Sequence, residues 1–234
     1  MRKIVFGTAV AAMAVASSAQ AAVLVEFGPD GSGTESGATN VSGTSGTVNG
    51  TTVTVASIGA ATNIVTRSRG VLADLGTFTQ NELFDDFIRA DVGTVGAGLR
   101  VTLNGGEIVA GQQYQVTAFA FDPQGTGSGN TSAVNTQAFA VNGVPAGSVT
   151  YTGTNSTAQQ SLASNGLFSV TTLVTATNLG IILDTTFVSS VGAPNVGGYQ
   201  SVVLNGVQVT AVPEPTTIGL LSLGGLAALR RRRA

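Results

Sequence analysis

The chain has 234 residues, a length for one domain or two small ones, and only 9% of them are charged against 43% hydrophobic. It has no His, no Cys and no Trp. That excludes Ser-His-Asp and Cys-His catalysis, haem and iron–sulfur ligation, the usual zinc sites and any disulfide, because the nucleophile, imidazole or soft ligand is missing.

The N-terminus opens with Met1-Arg2-Lys3, continues through an apolar stretch over residues 4–16 and reaches Ala19-Gln20-Ala21. A positive start, a short greasy helix and small residues at −3 and −1 form a secretory signal peptide, so residues 1–21 are expected to be removed by signal peptidase after Ala21. The apolar stretch is too short for the ~20 residues that span a bilayer.

Residues 22–211 form the body. They carry four arginines and eleven acids, a net charge of −7, and no lysine. Phosphate backbones and anionic lipid headgroups are held by Lys and Arg, so no nucleic-acid partner is expected. Thr and Val dominate, and their β-branched side chains favour strands. Strands are expected over residues 22–27, then over 47–48 and 51–55 flanking Asn49-Gly50, a strong hairpin signal. Residues 99–103 run into Asn104-Gly105-Gly106, and residues 113–121, apolar on both faces, suggest a central strand. Residues 138–141 meet Asn142-Gly143. Further strands are expected at 148–152, 167–174, 181–188 and 201–209, the last with Asn205-Gly206 inside it. One helix candidate covers residues 81–88, where Phe84, Phe87 and Ile88 would serve equally as a strand or an irregular hydrophobic plug. Residues 28–46, 123–135 and 153–165 read as loops. Gly125, Gly127 and Gly129 lack the following helix of a phosphate site, which excludes a nucleotide-binding turn. Nine or ten short strands separated by turns make an all-β sandwich.

The C-terminus carries Val212-Pro213-Glu214-Pro215, an uncharged Leu/Gly/Ala segment over residues 216–229, and Arg230-Arg231-Arg232-Arg233 before Ala234. The prolines hold the chain extended. Fourteen helical residues reach ~21 Å, short of a ~30 Å hydrocarbon core, which snorkelling arginines and local thinning would make up. The arginines would stay cytoplasmic. These three parts strongly resemble the PEP-CTERM sorting signal of Gram-negative bacteria. The resemblance implies a short transmembrane sorting helix, transient anchoring in the inner membrane and processing near Pro-Glu-Pro by an exosortase. It further implies a final place at the cell surface or in an exopolysaccharide or biofilm matrix.

The body is similar to galactose-binding-like jelly rolls, through Asp85-Asp86-Phe87-Ile88, residues 99–103, residues 111–122 and the closing Val203-Leu204-Asn205-Gly206-Val207-Gln208-Val209. The resemblance implies a jelly-roll sandwich of the kind found in carbohydrate-binding modules. In such modules an acidic residue near the first strand meets others across the sheet around calcium, and Glu26 and Asp184 are the candidates here. Glu82, Asp85, Asp86 and Asp91 form a second group of oxygen ligands, at a spacing that matches no EF-hand; the alternative is a solvated acidic edge paired with Arg89 or Arg100. Tyr151 borders a polar loop and is the candidate for stacking on a sugar, whereas Tyr114 and the phenylalanines belong to the core.

The sequence therefore divides into a signal peptide (1–21), a jelly-roll-like β-sandwich (22–211) and a sorting signal (212–234). The expected function is that of a secreted, non-enzymatic surface or matrix protein without a cofactor, associated with exopolysaccharide. The alternatives are a carbohydrate-binding module with a defined glycan and calcium, or a small hydrolase built on two facing carboxylates.

Overall fold

In the computed structural model the described residues are 21–31, 33–68, 83–122, 134–152, 168–191 and 200–213. Within them the protein is all-β, with fourteen strands in three sheets. The five-stranded sheet runs β11 (Ser169–Thr175), β8 (Gln113–Phe119), β14 (Gly206–Ala211), β1 (Ala21–Glu26) and β2 (Thr39–Asn40). The six-stranded sheet runs β10 (Val144–Thr152), β9 (Val134–Val141), β12 (Ile181–Val191), β7 (Gly98–Asn104), β4 (Thr51–Ile58) and β3 (Ser45–Val48). The smaller sheet is β13 (Gln200–Leu204), β6 (Asp86–Val92) and β5 (Thr62–Ser68). All neighbours pair antiparallel except β1 and β2.

Local chemistry sets the hairpins. Asn49 and Gly50 have φ of 50° and 77°, and Asn142 and Gly143 have 50° and 79°. Two consecutive positive φ values in a two-residue loop match the strand twist, so Val48 faces Thr51 and Val141 faces Val144 across each turn. β9, and β4 as far as Val55, bury every second residue, and the buried faces of all three sheets contribute to one apolar cluster.

Asn205-Gly206 behaves differently. It is no hairpin turn. The chain leaves β13 in the small sheet and enters β14 in the five-stranded one, and Asn205 is the crossing residue. Its side chain is fully buried, accepts the Phe121 N–H at 2.6 Å and donates to the Asp86 carbonyl at 2.8 Å and, more weakly, the Phe84 carbonyl at 3.4 Å. Its own N–H reaches the Phe119 carbonyl at 2.8 Å, and its carbonyl accepts the Phe27 N–H at 2.8 Å. Beneath it Phe84 meets Phe119 and Phe121 edge-on, and Phe121 stacks on Phe168 at 4.5 Å.

The free edge of β13 is closed by side chains rather than by a strand. The Gln137 amide accepts the Val203 N–H at 3.1 Å and donates to the Val203 carbonyl at 2.7 Å and the Thr185 hydroxyl at 2.9 Å. Two residues along, the Asn135 amide donates to the Ser201 carbonyl at 2.9 Å. These amides stand in for the missing ladder partner, which lets an edge strand be buried without orphaned backbone groups.

Three expectations need correction. The segment 81–88, open between helix, strand and plug, is helical at Leu83, turns over residues 84–85 and is strand from Asp86, with residues 81–82 outside the described part. The segment 28–46 is not wholly loop, since it holds β2 and the start of β3. β5 has no counterpart among the expected strands. The segments 123–133 and 153–165 lie outside the described residues.

Candidate functional site

The first and last described strands begin and end at one end of the fold. β1 and β14 are antiparallel neighbours, so the start of the first strand and the end of the last lie side by side, with Ala21 opposite Thr210. Ala211 pairs with Tyr114, and the Val212 N–H donates to the Gln113 carbonyl at 2.9 Å. The ladder stops there. Pro213 has no N–H to offer and is exposed, so it ends the sheet. Ala19, Glu214, Pro215 and Arg230, Arg231, Arg232 and Arg233 lie outside the described residues.

Four turns share this terminal pole: Asn49-Gly50, residues 105–112, residues 142–144 and residues 177–180. Side chains and backbone lock them together. The Thr51 hydroxyl donates to the Gly105 carbonyl at 3.1 Å and accepts the Glu107 N–H at 3.2 Å. The buried Tyr114 hydroxyl accepts the Val109 N–H at 2.9 Å and donates to the Glu107 carbonyl at 2.8 Å. Asn142 donates to the Thr175 carbonyl at 2.9 Å and accepts the Ile182 N–H at 2.8 Å, which ties the six-stranded sheet to the five-stranded one.

The two candidate calcium ligands do not meet. Glu26 is fully buried at the far end of β1, opposite Gly206, and its Oε2 accepts the Glu35 N–H at 2.6 Å. Asp184 sits in mid-strand on β12, in the other large sheet, and takes a two-pronged hydrogen bond from Arg100 at 2.7 Å on each oxygen. That hydrogen bond, and then the opposite charges, raise the Arg100 guanidinium above its ordinary value.

The second acidic group is divided. Asp85 and Asp86 are buried rather than forming a solvated edge; Asp85 accepts the Ser68 hydroxyl at 3.2 Å. Asp91 accepts from the Asn63 amide at 2.8 Å and pairs with Arg89 at 3.5 Å, while Arg100 serves Asp184. Glu82 lies outside the described residues. Glu35 and Asp122, not singled out from the sequence, are buried too. Among the described residues no three acids are placed to hold one metal ion.

Tyr151 is not at the surface. It is buried, with its hydroxyl accepting from the Asn135 amide at 2.8 Å and its ring edge-on to Phe121 at 6.2 Å. Every described Phe and Tyr is buried, so no described ring is free to stack on a sugar. The outer faces instead present hydroxyls, as in the cross-strand pairs Thr117–Thr171 and Thr136–Thr150, each at 2.9 Å.

The chain that leaves the last strand carries the deciding feature. Residues 211–233 match the PEP-CTERM protein-sorting motif. The motif begins at the last residue of β14, so no linker separates body from signal. It implies export, a membrane-anchored sorting step handled by an exosortase, and the cell surface as destination. Among the described residues no helix is long and apolar enough to cross a membrane. No curated protein matches the chain. Among solved structures it is similar to the crystal structure of the Agl-KA catalytic domain, at 16% identity and a TM-score of 0.31. That likeness covers 74% of this chain and only 30% of the other, too distant to carry an argument about fold or activity.

Proposed function

We propose that the protein is a non-enzymatic surface or matrix component, sorted by an exosortase and associated with exopolysaccharide, whose body is a jelly-roll-like β-sandwich. The PEP-CTERM motif fused to the last strand carries this reading. The outer faces support it, because threonine hydroxyls exchange hydrogen bonds with hydrated polysaccharide without a defined pocket. Burial of every described aromatic ring weighs against a carbohydrate-binding module that stacks a defined sugar. The burial of Glu26 and the pairing of Asp184 with Arg100, on separate sheets, weigh against a hydrolase that would face these two carboxylates across a substrate. No cofactor is required.

Intact-mass measurement on protein from cells with and without an exosortase tests the sorting step. Expected is loss of residues 1–21, and loss of the apolar segment after Pro215 only where the exosortase is present. Glu214→Ala should leave uncleaved chain in the inner membrane, and normal release of that variant would overturn the reading. Co-sedimentation with exopolysaccharide from the producing cells tests the association.

A further inference from the structure

We propose that the terminal pole is a lipid-contact surface, on which the folded body rests against the membrane while the sorting segment still anchors it. This builds on the sorting reading of residues 212–234. The added claim concerns the body: which of its faces meets the bilayer, and through which side chains.

Chain length sets the distance. Among the described residues Val212 is the last hydrogen-bonded to the sheet, and only Pro213, Glu214 and Pro215 separate it from the apolar segment that starts at Thr216. Three extended residues reach roughly 11 Å at most. The headgroup layer on each side of the hydrocarbon is about 5–8 Å thick. A body tethered that closely has its terminal pole at headgroup level. The N-terminus reinforces the geometry, since Ala21 leaves the same pole beside Thr210 and a signal peptide still attached would pull that end toward the same bilayer.

The surface chemistry of the pole fits what it would touch. Val109, Val144 and Leu179 project from its turns at 55%, 63% and 66% exposure, and Leu173 lies close by on the outer face of β11 at 60%. Among the described residues the other two large exposed aliphatics, Val95 and Val188, lie at the opposite end, where the Gly96 N–H bonds the Phe187 carbonyl. Charge is distributed the other way. On the four turns of the pole the one charged side chain is Glu107. Glu26, Glu35, Asp85, Asp86 and Asp122 are gathered at the far end, around the Asn205 crossover. An acidic body would be repelled by anionic headgroups, and placing its acids away from the tether reduces that repulsion. Valine and leucine at rigid turn tips are the side chains that partition into the headgroup–acyl boundary.

The absence of cysteine makes the test direct. Single-cysteine variants of the full chain, Val109→Cys, Val144→Cys, Leu179→Cys, Val95→Cys and Val188→Cys, are expressed without an exosortase. Each is labelled with an environment-sensitive fluorophore. The protein is then reconstituted in phosphatidylethanolamine–phosphatidylglycerol vesicles that contain nitroxide-headgroup lipid. Expected is loss of most emission at positions 109, 144 and 179 on the terminal pole and little loss at positions 95 and 188. Adding Val109→Asp and Leu179→Asp should restore emission from the label at position 144. Equal quenching at both ends overturns the proposal, as does quenching at position 144 that ignores the two aspartates, since the tether alone would then set the distance. Shielded labels that the lipid nitroxide does not quench would mean that a second copy covers the pole, and also overturn it. A chain that salt washing strips from the vesicles removes the anchoring reading, and the proposal falls with it.

Discussion

Truncating Asn205 to alanine tests how the sheets are joined. The substitution removes one acceptor and two donor contacts and leaves the Phe121 N–H and the carbonyls of Asp86 and Phe84 facing a void inside the protein. A buried backbone group left without a partner costs about 1–3 kcal/mol. The 3.4 Å contact to Phe84 counts for little, so the two strong ones set an expected loss of about 3–5 kcal/mol. For a domain of this size each kcal/mol lowers the melting temperature by about 2–4 °C, which predicts a drop of about 6–20 °C. Thermal melts of residues 22–213 followed by far-ultraviolet circular dichroism measure it. Asn205→Asp keeps the acceptor for Phe121 but sets an oxygen against the Asp86 carbonyl, so its loss should be at least as large. Asn178→Ala, on an exposed turn, should melt within about 2 °C of the parent. An Asn205→Ala variant that melts with the parent would refute the reasoning, because the crossover would then be held by packing alone.

The same instrument reads three further expectations. Gln137→Leu preserves volume but orphans both backbone groups of Val203, so it should cost about 2–4 kcal/mol; a neutral result would show that β13 does not depend on that amide. Asp184→Asn breaks an exposed pair and should cost no more than about 1 kcal/mol, less at 1 M salt where the Debye length is about 3 Å; a loss unchanged by salt would contradict this. Millimolar calcium and chelator should give coincident melts. A calcium-dependent rise abolished by both Glu26→Gln and Asp184→Asn would put those two residues in one site, against their placement on separate sheets.

The hairpins were legible because their information is local. Asn-Gly at 49–50 and 142–143 supplies two residues that tolerate positive φ, and the flanking runs do the rest. Asn205-Gly206 is the same dipeptide with a different outcome. Gly206 is absent from the positive-φ residues, and a Cβ there would stand 2.6 Å from the Val25 carbonyl oxygen. Its glycine serves close approach to β1 rather than a turn, and only the tertiary partners of Asn205 reveal that. β6 was obscured in another way. Phe84, Phe87 and Ile88 repeat at helical spacing, yet β6 is buried on both faces, where alternation vanishes and the period no longer separates helix from strand. β5 has only Ile64 and Val65 as apolar residues and is half-exposed at its centre, too weak a pattern to read.

The sorting signal and the body differ in legibility for a related reason. A sorting signal is read by other proteins as a linear segment, so its chemistry is in the order of its residues. A binding or metal site in the body depends on register, and register here turns on one residue. Straight pairing from the Asn142-Gly143 turn would set Tyr151 opposite Val134. The bulge between Pro145 and Gly147 shifts the pairing by one, so Tyr151 opposes Asn135 and its ring enters the core. Gly147, at φ 141°, occupies a conformation that other residues rarely adopt, and that is what permits the slip. The same dependence on pairing separates Glu26 from Asp184 and places the start of β1 beside the end of β14. Once β1 and β14 are antiparallel neighbours, the start of β1 and the start of the sorting motif lie on adjacent strands, about 4.8 Å apart. The order of residues specifies the sorting motif, but it is this pairing of the first and last strands that sets its start beside Ala21 at one pole.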